Sequence, residues 1–211
     1  MVDMNRGQAH TLEGVMAGLI LLSALTFALQ ATAVTPLSAS TSSQHIENQQ
    51  QATAESVLAA AAENGSLKRA VLFWGYDSTD EEYEFLEADN GPFYTSKVPP
   101  NVFGRMLTRS FNGRGIAFNV YVVYQAPGGG ERRQPIIYRG EPSDNSVTAS
   151  EMVTLVDDDV LFEKDLSSDG DRIAEPTTTV ISETDNFYAP DAAPNSDLYN
   201  VLKVEVVTWR M

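Results

Sequence analysis

Clustered carboxylates, a pair of histidines and one asparagine in an acceptor tripeptide are the side chains of this sequence that could do chemistry. Asp165, Ser167, Asp169, Gly170 and Asp171 follow the spacing that opens a calcium-binding loop, where oxygen ligands converge along a tight turn. The twelfth position of that loop is Pro176 instead of a bidentate Glu, so a solvated turn is expected and no metal is assigned. Asp157, Asp158 and Asp159 can converge only in a turn, because neighbouring strand residues face opposite ways. His10 and His45 stand on either side of a long uncharged stretch and cannot share a metal within one chain. No His follows His45, so no Ser-His-Asp arrangement can be assembled in residues 65–211. Cys is absent, which removes thiol catalysis, disulfides and Cys-ligated zinc. The Gly-rich run in residues 126–133 lies between two strand-like segments, without the helix N-terminus or Gly-Lys-Ser/Thr sequence that holds phosphate. Asn64-Gly65-Ser66 is an acceptor for N-glycosylation, and equally an ordinary helix-stopping Asn-Gly. These residues point to no enzyme and no cofactor.

Charge narrows the partners. The chain carries 14 Lys and Arg against 29 Asp and Glu, a net charge of −15. Nucleic acid is not an expected partner, because phosphate binding needs clustered cations. The same field resists adsorption onto anionic lipid. It fits either a heavily hydrated surface suited to high salt or repulsion that keeps copies soluble.

The element that dominates the N-terminal third is the stretch 12–34. After Glu13 the next formal charge is Glu47. A helix rises about 1.5 Å per residue, so about 20 apolar residues reach roughly 30 Å, the thickness of the hydrocarbon layer. Inside lipid every backbone amide must bond within its own segment, and a helix does this. A buried core helix is the soluble alternative. Ala31-Thr32-Ala33 also fits a secretory cleavage site, which would release everything beyond it. Pro36 and the small hydroxylated residues after it predict a bend or an interruption. Residues 44–63 predict a second helical stretch, with Ile46, Thr53, Val57, Leu58 and Ala61 on its apolar side and Glu47, Gln50, Gln51 and Glu55 opposite.

Residues 5–14, NRGQAHTLEG, with the hydrophobic run behind them, resemble the class III signal peptide of archaeal type IV pilin-like proteins. The resemblance covers about 30 residues. It implies that Arg6 and Gly7 end a short leader, that Gln8 is the new N-terminus, and that a prepilin-type peptidase cuts there and leaves the helix attached. Cleavage after Gly7 makes Glu13 the sixth residue; cleavage after Gln8 makes it the fifth, the usual pilin spacing. The resemblance implies that Glu13 pairs with the free amine of a neighbouring subunit; the alternative is a carboxylate that caps the helix start in the headgroup layer. With the acidic composition, the opening looks like that of a protein from a salt-loving archaeon. Gly14, Ala17, Gly18 and Ala24 leave room for close helix approach, and Thr26 and Gln30 could add interhelical hydrogen bonds.

Beyond Gly65 the period changes to that of strands. Strands are expected over 67–74, 116–125, 134–138, 146–155, 160–162 and 199–209. Ile116, Phe118, Val120, Val122 and Tyr124 share one face. Residues 101–110 fit a helix or a strand. Trp74, Trp209 and the tyrosines are expected to serve as core or cross-strand packing. The predicted organisation is a cytoplasmic leader at 1–7, a transmembrane helix at 8–34, a linker and extracellular helix at 35–64, and an acidic β-rich extracellular domain at 65–211. The fold class expected is α+β: a long N-terminal helix continuing as a kinked rod, packed on a mostly antiparallel sheet in the manner of a pilin. Lipid, the peptidase and like subunits are the implied partners. The implied function is a minor or accessory subunit of a surface assembly, with a monomeric single-span surface protein as the alternative.

Overall fold

The computed structural model describes residues 4–78, 81–164 and 174–210, with helical residues 4–9 and 30–43 described by their backbone alone. Its first element, α1, is the helix Met4–Glu63. The helical backbone runs through Pro36, so of the bend or interruption that the sequence predicts there the interruption does not occur. Proline removes one intrahelical hydrogen bond and does not by itself forbid helical torsions on either side. By internal contacts the chain divides into two units, Met1–Ile46 and Glu47–Met211.

Within the first unit, His10–Leu29 is a helical stretch of 20 residues with a mean hydropathy of 2.0 and no part of its apolar window buried. It is long and apolar enough to cross a membrane.

The second unit is α+β. Its main sheet has the order β4-β3-β8-β5, antiparallel throughout. The strands are β3 (Ile116–Gln125), β4 (Glu131–Ile137), β5 (Val147–Val156) and β8 (Leu198–Arg210). β-Branched and aromatic residues alternate along β3 and β8, so one face of each strand is apolar. Phe118, Val120 and Val122 of β3 and Leu202, Val204 and Val206 of β8 are fully buried on that face. The C-terminal strand β8 lies inside the sheet, between β3 and β5. Against the sheet's apolar side lies a core that includes Ala54, Val57, Leu58 and Ala61 of α1. Removing a side chain such as Leu58 from water contributes about 1.5–3 kcal/mol.

Several expectations need correction. Gln50, placed on the polar side of its helix by composition, is only 5% exposed. It precedes Ala54 by four residues and Val57 by seven, so helical geometry puts it on the buried face. The segment 67–74 is not one strand: α2 (Ser66–Val71) comes first and β1 (Trp74–Asp77) follows. Its residues are buried at helical spacing, with Leu67, Ala70 and Val71 inside, and an apolar run that short has no readable period. β4 begins at Glu131, so the hairpin tip is residues 126–130 only, closed by a bond of 2.9 Å from the Ala126 N–H to the Gly130 carbonyl.

The ambiguous segment 101–110 resolves as α3 (Val102–Phe111). The Asn101 side chain caps it by accepting from the Gly104 N–H at 3.0 Å, and Phe103, Leu107 and Phe111 recur every four residues on its buried side. Two smaller antiparallel pairs complete the unit: β1 with β2 (Glu82–Phe85), and β6 (Val160–Lys164) with β7 (Ala174–Val180).

Candidate functional site

The features that could act on other molecules fall in two places, the apolar helix of the first unit and a pocket in the second. On the helix, Glu13 is exposed and lies 3.7 Å from His10 Nδ1, one turn away. The i,i+3 spacing of His10 and Glu13 is the signal in the sequence that joins them. Gly14 and Gly18 have open space where a Cβ would be. Large side chains such as Leu12, Ile20, Leu21 and Phe27 are 65–75% exposed. The Thr26 hydroxyl donates to the Leu22 carbonyl at 2.7 Å and that of Ser23 to the Leu19 carbonyl at 2.8 Å, so both polar groups are satisfied within the helix. Arg6, Gly7 and Gln8 are described as α1 backbone only. The side chain of Gln30 lies outside the described residues.

The pocket of the second unit has a volume of about 590 Å³ and is lined by Tyr124, Arg132, Ser182, Asp185, Phe187, Tyr188, Asp191 and Tyr199, among others. Its wall is an aromatic cluster tied to backbone. Tyr188 donates to the Val71 carbonyl at 3.0 Å, Tyr199 to the Ala189 carbonyl at 3.0 Å, and Trp74 Nε1 to the Asn186 carbonyl at 2.7 Å. Phe187 and Tyr188 have ring centroids 4.4 Å apart, and Tyr188 also meets Trp74 and Tyr124 edge-on. Buried Asn200 donates to the Pro190 carbonyl at 2.8 Å and to the Gln125 carbonyl at 3.1 Å, joining the pocket's loop to the end of β3. Burial, then Asp191, Asp157 and Asp185, push the Tyr199 hydroxyl up to about 12, so it stays a protonated donor. No motif announces this pocket, because its walls come from distant segments of chain.

The acidic turn sorts its members by role. Asp159 Oδ2 accepts from the Val156 N–H at 2.8 Å and pairs with Lys68 at 2.7 Å. Asp157 Oδ1 is buried without a hydrogen-bond partner among the described residues, and burial followed by Asp191, Asp197 and Asp158 raises its carboxyl. Among the described residues no group of three or more His, Asp or Glu could hold a metal ion. Asp165, Ser167, Asp169, Gly170 and Asp171 lie outside the described residues. His45 is exposed on α1.

An apolar N-terminal helix fit to cross a membrane and an α+β unit built on an antiparallel sheet define the class of protein. The chain belongs to a family of unknown function (DUF7288), whose model matches residues 6–208 and so runs from α1 into β8. No curated protein and no solved structure matches it.

Proposed function

We propose that the chain is a membrane-anchored, pilin-like structural subunit of a type IV pilus-like surface assembly, minor or accessory in role, cut beside Gly7 or Gln8 by a prepilin-type peptidase. The observation that carries this reading is the His10–Leu29 stretch, apolar and with none of its apolar window buried, entered by the carboxylate of Glu13. A helix exposed in this way needs lipid or other helices around it. Gly14, Ala17 and Gly18 lie within two turns, and the open space at both glycines would let a like helix approach closely. The leader faces the cytoplasm and the second unit lies outside the cell, in a salt-loving archaeon whose medium suits the −15 charge. A bend at Pro36 belongs to this reading, since proline leaves one carbonyl of the preceding turn without its donor. The role is structural, not catalytic.

The test places a Cys at position 21 (Leu21→Cys) and crosslinks native membranes. Ladders of crosslinked chains are expected, and Glu13→Gln or Gly18→Leu should abolish them. Monomers alone at every crosslinker dose would end the assembly reading. The second reading, a monomeric single-span surface protein with an external binding domain, is favoured by the pocket of about 590 Å³, which is large enough for a small ligand. That reading expects both substitutions to be tolerated. Intact mass settles processing: a mature chain beginning near Thr35 would show an ordinary secretory signal instead.

A further inference from the structure

Asn64 stands at the point where α1 ends and α2 begins. It is exposed, and Gly65 after it takes a left-handed φ of 71°, which a residue without a Cβ adopts at no steric cost. The Asn64 Oδ1 accepts from the Ser66 N–H at 2.8 Å. Its amide nitrogen contacts the Met106 sulfur at 3.9 Å and has no other partner among the described residues. Beside it lies a groove of about 420 Å³, bordered by Lys68, Arg69, Leu72, Asp158 and Phe162. Arg69 donates to the Asn64 carbonyl at 2.9 Å, which holds the turn at the groove's edge.

The third member of the acceptor tripeptide is placed very differently. Ser66 is 2% exposed. Its hydroxyl faces inward, 3.4 Å from the Ala61 carbonyl and 3.9 Å from the Met106 sulfur. A glycosyltransferase that reads Asn-x-Ser must reach both the amide and the hydroxyl. The folded turn offers it only the amide.

We infer that Asn64 carries an N-linked glycan that is attached before α2 packs on α3 and buries Ser66, and that the glycan then lies over the groove edged by Lys68, Arg69 and Phe162. The inference rests on the external placement of the second unit proposed above. The donor is a sugar linked through its anomeric carbon to a lipid phosphate. The Asn64 Nδ2–C1 bond forms as the C1–O bond to phosphate breaks; the lipid phosphate leaves with the bonding pair, and the amide proton passes to a base on the transferase. Neither charge nor packing opposes the product. The amide nitrogen gives up a weak contact, and the groove presents charged groups of both signs, Lys68, Arg69 and Asp158, to sugar hydroxyls and apolar Leu72 and Phe162 to ring faces.

The test uses the full chain purified from membranes of its native host. Cleavage after Glu63 and after Lys68 releases the peptide Asn64–Lys68. The readout is the intact glycopeptide mass, because Asn-Gly can deamidate and mimic the one-dalton mark of sugar removal. Asn64 should carry sugar in the wild type and none in Asn64→Gln or Ser66→Ala. Full-length chain folded first in a host without the transferase, then mixed with native membranes and donor, should stay bare; its modification to the native level would overturn the proposed order. External protease on intact cells separates the two readings. If the domain is external and Asn64 is bare, this inference alone falls. If the domain is protected from protease, the external placement falls and takes this inference with it.

Discussion

Asp157 sits where β5 turns into β6, with one carboxylate oxygen buried and unpaired and with Asp191, Asp197 and Asp158 nearby. Burial and these like charges raise its pKa, so the folded chain holds that proton more tightly than the unfolded chain does. The sign follows by linkage: stability from the protonated form is complete in acid and is lost as pH rises through the raised value. The ionised carboxylate is therefore a destabilising group. Asp157→Asn should raise the thermal midpoint at pH 7, and the two chains should converge in acid, where the wild-type carboxyl is itself neutral. An equal gain at every pH would mean that the amide makes new contacts instead. Asn119 shows the opposite case of a buried polar group fully used. Its amide donates to the Gly140 carbonyl at 2.8 Å and to the Tyr121 hydroxyl at 3.0 Å, and its oxygen accepts from the Arg139 N–H at 2.7 Å.

Among the elements, α3 depends most on close approach. A Cβ added at Gly104 would lie 2.0 Å from the Pro99 carbonyl oxygen, a backbone atom that cannot swing aside. Alanine at a helical position gains up to about 1 kcal/mol over glycine. Overpacking of this kind costs about 1–3 kcal/mol, so the clash wins. Gly104→Ala should lower the denaturant midpoint of the full chain in detergent, read by the near-UV signal of its buried aromatics; a higher midpoint would show that α3 does not pack as described. The main sheet has a different economy. Its inner face is a continuous core, while its outer face carries a small cluster of Ala117, Val207 and Trp209 beside Tyr121. Arg133 covers that ring at 3.5 Å and pairs with Glu205 at 3.0 Å, and Lys203 also pairs with Glu205 at 3.0 Å. Polar side chains thus shield the middle of the outer face.

At the scale of the whole molecule, −15 charges repel one another across the surface. The Debye length falls from about 10 Å at 0.1 M salt to about 3 Å at 1 M, which removes most of that repulsion between exposed groups. The thermal midpoint should therefore rise between these two concentrations of KCl. A flat or falling response would place the acid excess outside the stability of the fold and weaken the case for a salt-loving source. Surface pairs such as Lys203–Glu205 weaken in the same titration, but each is worth only about 0–1 kcal/mol. The net effect remains stabilising, because acidic groups outnumber basic ones by about two to one.

The apolar stretch and the β3 alternation were legible in the amino-acid order alone, because each rests on a local period or on uninterrupted length. Residues 116–125 coincide with β3 for that reason. The helix at α3 was latent in the Asn101 cap and in Phe103, Leu107 and Phe111, but a ten-residue segment with a glycine inside leaves helix and strand close in propensity. Gln50, Ser66 and Asp157 show what tertiary structure alone decided. Polar by type, each has atoms placed away from water by neighbours that packing supplied: the α1 face, the Met106 side chain, and the acidic turn. The pocket beside Tyr199 is the furthest case, since β3, β4, β8 and the 181–191 segment meet there only after the sheet forms. Periodicity reports which side of one element is dry; it carries no information on which distant segment will dry it.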